Sequence, residues 1–449
     1  MHKKIIIIGA GPTGLGAAHR LKEKGITDFV VLERNDHVAG LSASFQRQGY
    51  TVDIGGHVLF SHYAYFDEVI EKALGGQYLQ HQREAWVWIL NRFVPYPFQN
   101  NIKDLPPEVM WECVEGLLDA DPTMPTNNFD EWITAVFGAG IAKHFMRPYN
   151  FKVWAQPLKD MAKSWIAERV SVIDTRRVLR NIILNQSDSS WGPNNMFKFP
   201  LFGGTGGIFE GISKGVNDFI RLNVSVTQTH TATKTLTLST GETLTYDQLI
   251  NTSPLDQLVL NSDLDGVGKD ATKDLVHSGG YSVGLGFNRQ LEADKRTKCW
   301  NYFPETNSPF YRVTYLSNYS PNMVPDIAKQ FLLMCETSYS EHKQHSASTI
   351  IDETIQGLVN SQFIKPEDVP LIEFKDLIDI PYSYPVPSLN RDKALETLMP
   401  LLQSHSIFSR GRFGQWRYEA GNMDHSFMQG VEVVDYLLDE KPEETRFKN

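Results

Sequence analysis

The chain has 449 residues, 41% of them hydrophobic and 21% charged, and a formal charge of −10. This is ordinary globular composition, and the length suggests two or three domains with an ample core. It excludes a disulfide-stapled mini-protein and a disordered chain. The acidic balance argues against a nucleic-acid binder, which needs clustered Lys and Arg.

In chain order, Ile5–Ile8 reads as a parallel strand buried on both faces. Gly9-Ala10-Gly11-Pro12-Thr13-Gly14 follows, then a helix over Leu15–Lys24 ended by Gly25, then a strand over Phe29–Leu32 closed by Glu33. Each part of this Gly-x-Gly-x-x-Gly unit has a task at a dinucleotide. Gly9 allows the tight turn, Gly11 a close approach to pyrophosphate, and Gly14 close packing of helix on strand. The helix N-terminus offers N–H groups to the phosphates. Glu33 suits a ribose 2′,3′-diol and disfavours a 2′-phosphate. Gly40-Leu41-Ser42 is a second small-residue turn that either adds backbone contact to the same ligand or is a plain loop. In Asp53–His62, Gly55 and Gly56 allow a flat ligand to come close, and His57 either sits at its edge or is structural.

Residues 103–190 read as a mainly helical insert. Arg147–Trp154, Trp165–Val170, Trp300–Pro304, Phe310–Arg312 and Arg412–Tyr418 set arginines among aromatics. That pattern fits either a nucleoside-diphosphate cleft, where rings stack and guanidinium groups clamp phosphate, or a packed core with surface arginines. Gly203-Gly204-Thr205-Gly206-Gly207 is another glycine-rich turn. Strands are expected at Val224–Thr229, Thr235–Leu238 and Thr243–Thr245, with a turn at Thr240-Gly241, and Leu249–Thr252 as a return to the parallel sheet. Tyr281–Phe287, Arg312–Leu316 and Phe331–Cys335 read as strands of another sheet. Gly421-Asn422-Met423-Asp424-His425-Ser426 opens a final helix over Phe427–Leu438, a second helix N-terminus for the middle of a dinucleotide.

Cys113, Cys299 and Cys335 are far apart and leave no metal-ligand spacing. An odd cysteine suggests a reducing compartment. No apolar run reaches the length of a signal core or a membrane span, so a cytoplasmic protein is expected. No nucleophile elbow, phosphate-binding Walker loop or zinc-protease motif occurs, which points to chemistry supplied by a cofactor.

Taken together, the chain resembles the UDP-galactopyranose mutase family in its eukaryotic-type branch. The resemblance runs from Ile5 to about Val431. It is strongest in the stretches that begin at Gly55, Val94, Phe145, Trp191, Phe199 and Ser409, the last reading SRGRFGQWRYEAGNMDHSFM. It implies an α/β fold: a Rossmann-like FAD-binding domain with an inserted helical domain and an antiparallel β-sheet domain. The expected segments are 1–78, 196–258 and 400–449 for FAD, 100–190 for the helical part, and 79–99 with 259–399 for the sheet. The implied activity is interconversion of UDP-galactopyranose and UDP-galactofuranose on reduced FAD, through a flavin N5–sugar adduct and without net redox change. NAD(P)H is the implied reductant.

Residue by residue, the resemblance implies FAD contacts at Gly9, Gly11, Pro12, Thr13, Gly14, Glu33, Arg34, Gly40, Leu41, Ser42, Gly55, Gly56, His57, Arg412, Asn422, Asp424 and Ser426. Tyr96, Gln99, Phe145 and Asn150 would form the uridine pocket, with Trp154 beside them. Arg169 and Asn194 would sit on two flaps. Trp300, Tyr302, Arg312, Tyr319, Tyr384 and Tyr418 would surround the diphosphate, with Arg412 and Asn422 also touching substrate. His57, Arg169, Arg312 and Arg412 are the expected catalytic group. Two departures stand out: Met423 where the motif has Gln, and Ala39 where a Gly-Gly-Leu turn has its first glycine. The Met423 change leaves room for another nucleotide sugar. A flavin oxidoreductase of the amine-oxidase kind is the other reading, and subunit assembly is left open.

Overall fold

The computed structural model describes residues 1–166, 173–188 and 196–447. Its first sheet starts from the buried runs read above. The strand His2–Ile8 pairs in parallel with Phe29–Leu32 on one side and Thr243–Asn251 on the other. Ile5, Ile6, Ile7 and Phe29–Leu32 are all buried, as expected for a sheet covered on both faces. Ile220–Arg221 extends one edge, and Ile407–Ser409 pairs with Leu249–Asn251. The hairpin strands Val226–His230 and Thr235–Leu238 complete the other edge.

The two strands expected at Thr243–Thr245 and Leu249–Thr252 are one. Its first residues pair antiparallel with Thr235–Leu238 while the whole strand runs parallel to the N-terminal one. The polar interval Tyr246–Gln248 looked like a break. It is the stretch where the strand passes from the hairpin to the sheet interior.

The first helix spans Pro12–Glu23, three residues earlier than expected, because proline at the first helical position is compatible with helix geometry. It packs against the last helix, Met423–Asp439, which begins at the Asn422 cap. The expected helical stretch contains Pro107–Leu118, Phe129–Ile141, Arg147–Trp154 and Thr175–Ile183. A π-helical turn, Ala142–Met146, joins the second of these to the third. Such a turn rotates the residues that follow it, a device common at binding sites.

A second sheet runs in the order Ile372–Pro385, His277–Phe287, Phe331–Tyr339, Arg312–Tyr315, Trp300–Tyr302, Ala85–Ile89, Arg92–Pro95. It is antiparallel except between Trp300–Tyr302 and Ala85–Ile89, which run parallel. The long excursion between those two strands permits the parallel return. The 14-residue strand Ile372–Pro385 gave no sequence signal. Its residues are mostly half-exposed or exposed, and Pro381 interrupts it near the end.

Candidate active site

A cavity of about 1140 Å³ begins at the C-terminal ends of the first sheet's parallel strands. This is where an open α/β sheet binds its ligand. Gly9 takes φ +98 at the turn, and Gly11 caps the first helix without a side-chain bond. The helix N–H groups therefore remain available to an anion. A Cβ on Gly40 would lie 3.2 Å from the Cα of Gly11, so these two glycines form a narrow floor. Ala39 holds φ +78, a left-handed conformation that costs an alanine about 1–2 kcal/mol. Its N–H donates to the Ala10 carbonyl at 2.9 Å.

Glu33 is buried, and its two oxygens accept from the amides of Ala10 (2.8 Å) and Asn35 (2.9 Å). Each oxygen keeps a lone pair for a ribose hydroxyl. Pro12, Thr13, Arg34, Leu41 and Ser42 line the same trough, as do Asn422, Asp424 and Ser426 from the start of the last helix. Gly14 does not line it; a Cβ there would strike the Gly9 carbonyl at 1.8 Å, so it serves packing. A narrow glycine floor, two helix N-termini and a buried acid fit FAD.

Asp424 accepts from His62 Nδ1 at 2.7 Å and from its amide at 3.2 Å. His62, Asp424 and His425 bring possible metal-ligand atoms within 4.8 Å of one another. The His62–Asp424 hydrogen bond already accounts for that closeness.

The loop Gly55–His57 lines the same cavity. Its entry is fixed by Asp53, which accepts from Ser44 Oγ (2.6 Å) and Thr205 Oγ1 (2.8 Å). Burial pushes the Asp53 carboxyl up to about 6, against the pull of these donors. The Gly203–Gly207 turn is thereby explained: a Cβ on Gly204 would lie 2.2 Å from Asp53 Oδ1. His57 is pulled down to about 4 by burial. Glu336 opposes the shift, while Arg312 and Arg412 reinforce it. The imidazole is therefore neutral above about pH 5, and its Nδ1 has no protein partner.

This depression fixes a pH effect. In the unfolded chain the ring titrates near its ordinary value, about 6.5. Between pH 6.5 and 4 the unfolded state binds the extra proton, so stability is full above about 6.5 and is lost as pH falls towards 4. The thermal midpoint of a His57→Asn variant, followed from pH 7.5 to 4.5, is expected to fall less than that of the wild type. An equal fall would contradict the assignment.

Beyond the loop the cavity is aromatic. The π-helical turn carries Phe145, which stacks on Tyr149 with ring centres 5.2 Å apart. Tyr96 meets Tyr302 edge-on at 5.0 Å. Gln99 and Asn150 also line this end, Asn150 donating to the Met146 carbonyl at 2.7 Å. Trp154 packs against Tyr418 (4.9 Å) and Tyr384 (5.6 Å). The Arg412 guanidinium lies over the rings of Tyr384 (5.2 Å) and Tyr418 (5.1 Å). Trp300 donates from Nε1 to the Gly56 carbonyl at 3.3 Å, which ties the aromatic wall to the His57 loop.

Tyr319 lies apart from the rest. It is fully buried behind this wall, packed on Phe197, Phe199 and Trp300, and is not among the residues lining the cavity. This corrects the expectation that it forms part of the wall facing the diphosphate. Arg169 and Asn194 fall outside the described residues. Apart from Gly14, the remaining expected contacts line this cavity.

Sequence reasoning missed Glu336, which pairs with Arg312 at 2.5 and 2.6 Å, and Arg83 on the lining; Tyr149, also on the lining, falls within the arginine–aromatic stretch Arg147–Trp154. The one usable signal for Glu336 is a lone acid directly after the apolar run Phe331–Cys335; its place opposite Arg312 comes from the strand pairing alone.

A dinucleotide trough running into an arginine- and aromatic-walled pocket defines a flavoprotein of the Rossmann-like FAD-binding class. Residues 7–72 match the NAD(P)-binding Rossmann-like domain family. The structure superposes on that of a reduced UDP-galactopyranose mutase with a TM-score of 0.95 and 45% identity, over 99% of this chain and 97% of that one. The chain belongs to the UDP-galactopyranose mutase family, flavin-dependent isomerases.

Other likenesses are narrower. A putative protoporphyrinogen oxidase from Exiguobacterium shares the fold at TM-score 0.72 and 15% identity, over 98% of this chain and 99% of that one. Polyamine oxidase 1 of Zea mays is 41% identical over 54 residues, 12% of this chain and 11% of its own length. The chain thus spans about a tenth of such curated relatives, within the dinucleotide-binding unit. The amine-oxidase kinship is distant.

Proposed function

We propose that the protein interconverts UDP-galactopyranose and UDP-galactofuranose using reduced FAD, with no net redox change. The observation that carries this is continuity: one cavity joins the Gly11–Glu33 trough, the His57 loop and the Tyr96–Arg312 pocket. A dinucleotide cofactor and a nucleotide sugar can meet there without leaving it. We read the segments 1–78, 196–258 and 400–449 as the cofactor-holding part, 100–190 as the helical substrate part, and 79–99 with 259–399 as the sheet part.

Reduced FAD supplies a nucleophilic nitrogen to the anomeric carbon when bound. The chain's own residues hold what departs. Tyr96, Phe145 and Tyr149 offer faces for the uracil, and Gln99 and Asn150 offer amide groups for its edge. Arg312 and Arg412, among the hydroxyls of Tyr302, Tyr384 and Tyr418, suit a diphosphate that leaves as an anion and must stay for its return. His57, held neutral and with Nδ1 unengaged, suits a hydrogen bond at the flavin's edge, where it would respond to the cofactor's redox state rather than carry protons itself. We assign Arg169 and Asn194 to closing the site over substrate.

Met423 lines the cavity beside Asn422 and Asp424, and an apolar side chain there favours testing sugars other than galactose. Among the described residues no helix is long and apolar enough to cross a membrane. Cys113, Cys299 and Cys335 are buried free thiols, in keeping with a cytoplasmic setting.

The test is a donor panel under anaerobic conditions. NADPH or NADH is expected to bleach the flavin without a partner reductase, and the reduced enzyme is expected to convert UDP-galactofuranose to UDP-galactopyranose while the oxidised enzyme is inert. Turnover of another nucleotide sugar with none of UDP-galactofuranose would overturn the galactose assignment.

A further inference from the structure

The Arg312–Glu336 pair holds more than the proposed function uses. Glu336 is 6% exposed, at the middle of the second sheet, and accepts three hydrogen bonds. Arg312 Nε and Nη2 donate at 2.5 and 2.6 Å, and the Tyr311 hydroxyl donates at 3.2 Å. Tyr311 in turn meets the Tyr384 hydroxyl at 3.1 Å. Backbone register puts Arg312 directly opposite Glu336, so strand pairing fixes the ion pair. The carboxylate also lies over the glycines of the His57 loop. A Cβ on Gly56 would stand 3.2 Å from Glu336 Oε2 and 3.2 Å from Arg312 Nη2.

This geometry divides the guanidinium into two edges. The Nε–Nη2 edge is committed to Glu336. A guanidinium carries five N–H donors, so Nη1 and the second Nη2 proton remain for a ligand. The fork is thus aimed before any ligand arrives. Its charge is also compensated, because an acid this well buried is little screened by water.

We propose that Glu336 tempers the diphosphate clamp: it orients Arg312 while offsetting its charge, so that UDP is retained without being held too tightly to return. The inference rests on the mutase reading. A clamp that bound substrate and departed UDP equally tightly would add affinity and no rate. An uncompensated buried arginine would do that, deepening the ground state in which UDP waits. Glu336 touches neither the sugar nor the nucleotide in this role. It is a positioning residue acting through Arg312.

The sign of one substitution separates tempering from simple support. Glu336→Gln keeps the size and one hydrogen-bond acceptor but removes the negative charge. On the oxidised holoenzyme, UDP titration is expected to show about 3-fold or more tighter binding than wild type. With reduced enzyme, KM and kcat are expected to fall together. In an Arg312→Gln background the same change should give no tightening, because the effect runs through the guanidinium.

Equal or weaker UDP binding by Glu336→Gln would overturn the proposal. So would loss of bound flavin in that variant, since the carboxylate would then be structural, and so would tightening that persists without Arg312. A wild-type protein that does not bind UDP would instead overturn the mutase reading itself.

Discussion

Replacing Arg312 with alanine is expected to lower turnover of UDP-galactofuranose by about 10²-fold or more, as for loss of a positioned electrostatic stabiliser. The same change is expected to destabilise the fold. Arg312 is the partner of a buried carboxylate, and breaking such a pair from one side costs about 3–5 kcal/mol, because the remaining charge has no compensation. The two effects can be separated. Arg312→Ala combined with Glu336→Ala removes both charges, so thermal stability should partly return while turnover stays low. Arg312→Lys is not a rescue, since one ammonium cannot reproduce the bidentate fork and still face the cavity. Steady-state turnover and thermal midpoint, measured on the three variants, check each part. Near-normal turnover in Arg312→Ala would remove this residue from the clamp.

How much of this was legible beforehand depends on whether the cause was local. The N-terminal strand, turn and helix were readable because Ile5–Ile8, the glycine spacing and Glu33 each act within a few residues. The aromatic pocket was readable only through resemblance. Periodicity alone does not distinguish Phe145 facing a cavity from Phe137 in the core, and the π-helical turn that sets Phe145 has no composition of its own. Glu336 was illegible for another reason: its meaning comes from strand register with Arg312, 24 residues away. Tyr319 shows the converse. Its place among matching words suggested a wall, yet packing against Phe197 and Phe199 puts it behind one.

Gly430→Ala is expected to abolish flavin retention, although by sequence the change looks favourable. Glycine in a helix interior costs about 1 kcal/mol relative to alanine, and Gly430 sits inside the 17-residue helix Met423–Asp439. Packing reverses that sign. A Cβ at Gly430 would lie 2.0 Å from the Thr13 carbonyl and 2.7 Å from the Ala17 amide, both backbone atoms of the first helix. On the other side of the crossing, a Cβ at Gly16 would strike the Phe427 carbonyl at 2.3 Å. The helices therefore touch backbone to backbone, and one added methyl must push them apart. Overpacking of this kind costs about 1–3 kcal/mol, more than the propensity gained. The displacement falls where the cofactor would feel it. Thr13 lies in the first turn facing the trough, and the last helix carries Asn422, Asp424 and Ser426 to the other side of that trough. Both helix N-termini would lose their common aim. Flavin absorbance per mole of purified protein, together with the thermal midpoint, measures the effect. Gly215→Ala is the control, because its nearest neighbour would be the Ile212 carbonyl at an ordinary 3.5 Å, and that variant should keep its flavin. Full occupancy in Gly430→Ala would mean that the two helices can separate without disturbing the trough between them.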